Sequence, residues 1–372
     1  MRHRRLWLTI HVLMIAAATA ASAAPVDIGD LRAQLDAVFD HEDLASTSTG
    51  ILIVWTETGE VLYERTPDRA LMPASNQKLL TTLGALEFLG PNFTYTTRVL
   101  SNGEVSEQGW LDGDLWVLGA GDPTLTRDDL DDLASQVSDH GITRISGSIV
   151  VDASCFPGPP LGRGWPWNDE SSGYQAQVSG LAVDSNVVRV EVTGGAKPGD
   201  PCALELEPES DYLTLDPECT TGEDGDDRPS VYRRRAQNVL ATTGPVPPGV
   251  TVSGRVTLED PALHLGTLFA RSLVEKRIRA DGSCAHGLAP ADATELATRE
   301  SAPLTDILVA LNVPSNNNIA EALLRTIPIP AGKPGTAGEG MSMVADHLTE
   351  IGVDTGPLRL CDGSGLSRLN LV

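Results

Sequence analysis

Apolar and polar positions divide this chain into three stretches. Residues 30–39 read as a short amphipathic helix, and 50–55 as a compact β run. Thr58-Gly59 turns the chain and Val61-Leu62-Tyr63 returns it, the pattern of a hairpin. Residues 72–89 follow as a helix, with Pro73 just before its first turn and Gly90-Pro91 at its end. The next two hundred residues change character. Short β runs at 115–118, 147–151, 187–192 and 250–252 are separated by Gly, Pro and Asp turns. Helical periodicity resumes at 260–279. It continues at 302–311 and 319–327, two helices joined by Val313-Pro314-Ser315-Asn316-Asn317-Asn318. Residues 332–340 read as a loop and 341–351 as a last helix.

Before these elements lies a segment of another kind. Arg2, His3, Arg4 and Arg5 precede an apolar run from Leu6 to Ala21, and Ala21-Ser22-Ala23 is a small-residue cleavage site. That is the pattern of an export signal covering residues 1–23, and the run is short for a spanning helix. The expectation is a soluble exported protein, periplasmic or extracellular, without stable membrane insertion after cleavage. The net charge of −24 argues against nucleic acid or an anionic membrane surface as partner. The acidic runs Asp128-Asp129-Leu130-Asp131-Asp132 and Glu223-Asp224-Gly225-Asp226-Asp227 read as solvated surface. An exported chain can keep disulfides. Of Cys155, Cys202, Cys219, Cys284 and Cys361, the pair Cys202–Cys219 flanks one loop-rich stretch and is the expected bridge.

Chemistry enters with lysine. Of 27 basic residues only four are lysine, and Lys78 lies three positions after Ser75 in Pro73-Ala74-Ser75-Asn76-Gln77-Lys78. Arginine stays protonated, whereas a desolvated lysine can lose its proton and act as a base. At i and i+3 the two side chains share a helix face, and the helix start supplies free N–H groups for a developing oxyanion. Ser75 and Lys78 are therefore a candidate nucleophile and base. The plainer alternative is a serine N-cap followed by a solvated lysine. A second element is Ser315-Asn316-Asn317, in a turn between two helices. The Ser315 hydroxyl can relay a proton and the Asn317 amide can bond a substrate carbonyl. Helix capping by an Asn-rich turn is its plainer alternative. Ser75 and Ser315 are far apart in the chain, so a shared cleft requires the β-rich stretch to leave a discontinuous domain and return to it.

Together with Asp362-Gly363-Ser364-Gly365-Leu366-Ser367-Arg368, Gly121-Asp122-Pro123-Thr124-Leu125 and Gly164-Trp165-Pro166-Trp167-Asn168-Asp169, these motifs resemble the D-alanyl-D-alanine carboxypeptidase/endopeptidase family. This is the class C low-molecular-mass penicillin-binding proteins, peptidase family S13. The resemblance implies an α+β fold: a penicillin-binding-protein/β-lactamase-like transpeptidase domain with helices around an antiparallel sheet, interrupted by inserted β-rich domains. It sets domain expectations of 25–95 and 261–372 for the two catalytic parts and 96–260 for the insert. It implies an acyl-enzyme on Ser75 with Lys78 as base, Ser315 as relay and Asn317 as substrate-positioning residue. Asp169 and Arg368 are implied secondary candidates that shape the pocket for the stem peptide. The implied substrates are peptidoglycan stem peptides, the implied inhibitors β-lactams, and no cofactor or metal is implied.

One departure from that pattern stands out. The family's third element, Lys-Thr/Ser-Gly on a strand edging the cleft, occurs nowhere in the 372 residues. Lys197-Pro198-Gly199 and Lys333-Pro334-Gly335 do not substitute, since proline lacks both hydroxyl and N–H. The expectation is therefore a chain truncated at its C-terminal side, and the alternative function is a catalytically impaired or inactive wall-binding homologue. A β-lactamase is disfavoured by the long insertion. A zinc hydrolase lacks its His-Glu-x-x-His, and an α/β-hydrolase its Gly-x-Ser-x-Gly.

Overall fold

The computed structural model describes residues 28–216, 218–223 and 229–372. The expected signal segment 1–23 and most of the acidic run 223–227 lie outside the described residues. No helix among the described residues is long and apolar enough to cross a membrane. The described residues form two compact units, divided between Leu71 and Met72.

The first unit pairs helix α1 (Ile28–Phe39) with an antiparallel hairpin of Ile51–Val54 and Val61–Arg65. Gly59, at φ +74°, closes the turn in the left-handed region that glycine adopts without steric penalty. Tyr63 is the buried anchor. Its hydroxyl donates to Asp36 at 2.8 Å and its ring stacks on Phe39. The alternate face of the hairpin carries Leu52 and Val54, both exposed.

The second unit opens with a 3-10 turn, Ala74–Asn76, which runs directly into α2 (Gln77–Phe88). The expected helix 72–89 is thus a tight turn followed by an α-helix. The chain then builds a mixed five-stranded sheet. Its strand order is Cys284–His286, Ile149–Asp152, Leu115–Leu118, Thr96–Ser101, Thr294–Glu300. The first three are mutually parallel and the last two add antiparallel. Helices α3 (Arg127–Asp139) and α4 (Pro261–Glu275) share its apolar core with Val99, Leu115, Val117, Ile149 and Val151. Helical periodicity resumes at 261, but α4 and the strand 294–300 belong to this sheet. The helical layer resumes at α5 (Leu304–Asn312), after the strand 294–300 has paired with Thr96–Ser101.

Helix α3 occupies the first acidic run, which is not simply solvated surface. Thr126 caps α3 through Asp129 N, and Asp129 returns the bond to Thr126 N in a capping box. Asp129 is buried and also pairs with Arg299 of the sheet. A further three-stranded antiparallel sheet (Ala203–Glu207, Val187–Thr193, Thr251–Thr257) packs with another three-stranded sheet of shorter strands through Val188, Val190, Val192, Leu240 and Val256. The expected Cys202–Cys219 disulfide is not formed. Both are thiols within that apolar cluster, and Cys219 Sγ lies 3.3 Å from Thr242 Oγ1. Burial, reinforced by Cys219, pushes Cys202 up to about 11.

Helices α6 (Asn317–Thr326) and α7 (Ala337–Glu350) complete the helical layer against α2. Part of the expected loop 332–340 is therefore helix. Thr336 caps α7 at Glu339 N, and Gly340 lets the backbone approach the Leu324 carbonyl, where a side chain would collide.

Candidate active site

The site is assembled where α2, the start of α6 and the corner 362–370 meet. Pro73 enters the 3-10 turn in a helical conformation and Ala74 sits at φ +47°. Gly365, at φ +83°, lies so close to the Ala74 carbonyl that any side chain there would overlap it. The corner therefore presses on the residue before Ser75. Ser75 itself is exposed, and its N–H makes no hydrogen bond among the described residues. One helical turn on, Lys78 is 2% exposed.

Lys78 Nζ has three partners in three directions. It donates to Ser75 Oγ at 3.2 Å, Asn317 Oδ1 at 2.6 Å and the Ser364 carbonyl at 2.8 Å. Three acceptors satisfy the three donors of an ammonium and fix its position. Burial nonetheless favours the neutral amine. It draws Lys78 down to about 8, against the opposing pull of the Glu321 and Asp362 carboxylates. An amine poised there, hydrogen-bonded to an exposed serine, can act as a general base near neutral pH.

The corner is tied by one carboxylate. Asp362, fully buried, accepts from Trp165 Nε1 at 2.8 Å, Gly365 N at 2.9 Å, Ser367 N at 2.6 Å and Asn370 Nδ2 at 2.6 Å. Trp165 belongs to the stretch 164–169, and Arg368 N also reaches the Gly164 carbonyl. The two sequence stretches singled out far apart in the chain thus pack on each other. Asp169 and Arg368, one from each stretch, both act on Tyr174, a half-exposed phenol. Burial and Asp169 hold it above its ordinary range, with Arg368 opposing.

All three asparagines of the 316–318 loop are held by residues 174–186. Asn317 Nδ2 donates to the Tyr174 carbonyl at 2.8 Å, Asn318 Nδ2 to the Gln177 carbonyl at 3.4 Å and Asn316 Nδ2 to Ser185 Oγ at 3.0 Å. Asn316 Oδ1 meanwhile caps α6 at Ile319 N. The supporting segment is itself unusual. Asp184, Ser185 and Asn186 follow one another at φ +49°, +59° and +57°. Such conformations are rare for side-chain-bearing residues and cluster where surrounding structure fixes a functional geometry. Here Asn186, fully buried, donates to the Gln177 carbonyl and accepts from Val183 N.

Of the four residues expected to carry the chemistry, the structure brings Ser75, Lys78 and Asn317 into contact. It does not do so for Ser315. This residue sits at φ +60° before α6, half-buried, and its hydroxyl bonds to no described residue. Of the two residues of this turn, Asn317 is the one that meets Lys78. Sequence reasoning missed Glu321, the Ser364 carbonyl, Tyr174 and Ser185. Glu321 had one legible signal, a lone carboxylate in the otherwise apolar run Ile319-Ala320-Glu321-Ala322-Leu323-Leu324.

Comparison with known proteins places this geometry in context. Residues 31–372 match the model of the D-Ala-D-Ala carboxypeptidase 3 (S13) family. The chain is 36% identical over 371 residues to a D-alanyl-D-alanine carboxypeptidase of Actinomadura sp. (strain R39), covering 97% of this chain and 69% of that protein. It is 27% identical over 360 residues to D-alanyl-D-alanine carboxypeptidase DacB of Haemophilus influenzae, covering 94% and 72%. Penicillin binding protein 4 (DacB) of Haemophilus influenzae superposes with a TM-score of 0.78 at 26% identity, over 87% of this chain and 72% of that one. A second structure of that Haemophilus protein, complexed with a β-lactam, superposes with a TM-score of 0.74 over 93% and 74%. The α+β penicillin-binding-protein fold is thus shared.

Proposed function

We propose that this chain, which belongs to the D-Ala-D-Ala carboxypeptidase 3 (S13) family of hydrolases, acts on peptidoglycan stem peptides through an acyl-enzyme on Ser75. The observation that carries this reading is the buried Lys78 amine bonded to Ser75 Oγ and Asn317 Oδ1. In its neutral form, about a tenth of the population at pH 7 for a group titrating near 8, Lys78 accepts the Ser75 proton as Oγ attacks the carbonyl of the D-Ala–D-Ala bond. The C–N bond then breaks, the proton passes to the departing amine and D-alanine leaves. Water hydrolyses the resulting ester and restores Ser75. The free Ser75 N–H is placed to donate to the oxyanion. Endopeptidase cleavage of a cross-link would follow the same bond changes. Tyr174, whose carbonyl holds Asn317, and the Asp169 and Arg368 side chains that act on its phenol are the groups available to receive the polar end of a stem side chain.

By the same route β-lactams, one of which the Haemophilus relative binds, acylate Ser75. The protein's place of work on this reading is outside the cytoplasm, at the cell wall. The test is the intact mass of the protein after incubation with benzylpenicillin. An adduct that is absent from Ser75→Ala supports the acyl-enzyme. Folded protein without an adduct would leave only the alternative, a wall-binding homologue that does not turn over.

A further inference from the structure

Helix α6 buries a carboxylate where its neighbours are aliphatic. Glu321 is 0% exposed between Ala320 and Ala322, themselves almost wholly buried. Isolated there, an ionised carboxylate is strongly disfavoured, so its partners matter. Its Oε1 accepts from Gly363 N and Ser364 N, each at 2.9 Å. Ser364 turns its carbonyl the other way, to Lys78 Nζ at 2.8 Å. Thr81, one turn beyond Lys78 on α2, donates to the Gly363 carbonyl at 2.7 Å. An unbroken hydrogen-bonded path therefore runs from Glu321 through the 363–364 backbone to the lysine.

The second oxygen is what a merely structural clamp leaves unexplained. A glutamine amide oxygen could accept the same two N–H bonds. Glu321 Oε2 is buried with no hydrogen-bond partner among the described residues. Arg325, next on the same helix face, does not pair with it directly. Its Nη2 donates to the Pro159 carbonyl at 2.8 Å and its Nε is unpartnered. The charged groups facing Glu321 are Lys78 from α2, Arg325 from α6 and the like-charged Asp362 from the corner.

We propose that Glu321 is a positioning residue for the Ser75–Lys78 pair: it holds the carbonyl that orients Lys78 and sets, by its own charge, how readily Lys78 releases its proton. This rests on the reading of Lys78 as base. Burial, with Asp362 adding to it, pushes Glu321 up to about 7, next to the range where Lys78 titrates. Each group's proton therefore depends on the other's.

The scarcity of lysine makes the test direct. With lysine labelled with ¹³C at Cε, the four lysines give few resonances, and Lys78→Arg identifies the one of interest. Glu321→Gln keeps an acceptor oxygen and removes the charge. The Lys78 midpoint should then fall by about one pH unit, raising its neutral fraction at pH 7 roughly fivefold, from about a tenth to about half. Glu321→Asp keeps the charge and should leave the midpoint nearer the wild type. An unchanged midpoint in folded Glu321→Gln overturns the proposal, even if acylation slows, because that pattern is a clamp alone. If Glu321→Gln does not fold, the wild type decides. Its Lys78 resonance should carry a second inflection near pH 7 from the neighbouring carboxyl, and a single inflection overturns the proposal. Benzylpenicillin adduct formation in the same samples is read separately, so failure of the acyl-enzyme reading is not confused with failure of this coupling.

Discussion

Two buried regions of the second unit follow opposite rules. Under the five-stranded sheet, Leu115, Val117, Leu130, Leu133, Leu268 and Phe269 are almost fully buried and contribute only apolar surface. Around Lys78 an equally buried volume holds an ammonium, two carboxylates, an exchanged set of backbone bonds and a strained turn. The first gains stability in proportion to area removed from water, about 25 cal/mol per Å². The second offsets desolvation with hydrogen bonds and gains little net stability. Substitutions under the sheet are therefore felt in stability, and substitutions around Lys78 in chemistry.

Paired variants sharpen this most. Lys78→Met should slow benzylpenicillin acylation by about 10²–10⁴-fold, the usual contribution of a general base. Its effect on stability should be the smaller one, because losing a desolvated charge offsets losing its three hydrogen bonds. Leu133→Ala should do the reverse. Truncating this buried side chain costs about 2–5 kcal/mol, read as a lower denaturation midpoint, while acylation well below that midpoint stays within about twofold. A Lys78→Met protein destabilised as much as Leu133→Ala would break the comparison.

The pH dependence of stability separates the regions next, since only one of them titrates. Glu321 is raised from an ordinary 4.5 to about 7. The folded state therefore holds that proton longer than the unfolded chain, and this contribution to stability is lost as pH rises from about 4.5 to 7. Lys78 is lowered from 10.5 to about 8, so between these values the unfolded chain binds more protons and stability rises with pH. The two contributions leave a minimum between about 7 and 8. Denaturation midpoints measured across pH for the wild type, minus those of Lys78→Met, should rise above pH 8, because the variant has lost that titration. Leu133→Ala should shift the whole curve and leave its shape. A pH-independent difference for Lys78→Met would contradict the lowered amine.

Much of the apolar region and only part of the polar one was legible in the sequence, for physical reasons. The hairpin at 51–65 and the helices near 77–88, 261–275 and 304–326 follow from local periodicity and turn residues. Ser75 and Lys78 were readable because one helical turn joins them. Helix α3 was hidden because a run of aspartates reads as solvent-facing until Asp129 is seen to cap the helix and meet Arg299. The start of α7 was hidden by Gly338 and Gly340, of which Gly340 answers a tertiary demand, the approach of the Leu324 carbonyl. Glu321 and Asp362 were not assignable because Glu321 meets backbone N–H groups that no residue type marks, and Asp362 gathers backbone groups with the distant Trp165 indole and the Asn370 amide only on folding. Ser315 shows the converse. Its residue type suggested a relay, and its hydroxyl bonds to no described residue while its backbone is left-handed, neither of which is readable from residue type.

The smallest expected effect concerns the seam where the sheet-bearing stretch meets the site. Asp184-Ser185-Asn186 remains left-handed at three successive positions, an arrangement that costs on the order of 1–2 kcal/mol per residue. Its return is local: Ser185 Oγ accepts from Asn316, whose Oδ1 caps α6 directly before Asn317. Ser185→Ala removes that acceptor and leaves Asn316 Nδ2 without its protein partner. The loss should be about 0.5–1.5 kcal/mol, the net worth of one such bond. Because Asn317 still bonds Lys78 and the Tyr174 carbonyl, acylation should slow only a few-fold. Amide hydrogen exchange should increase in the peptide spanning 313–320 and stay unchanged in the five-stranded sheet. Ser185→Thr, which restores the hydroxyl, should recover both. Faster exchange spread evenly over the sheet and the loop would mean that the turn supports the fold at large, with no special relation to the asparagine loop.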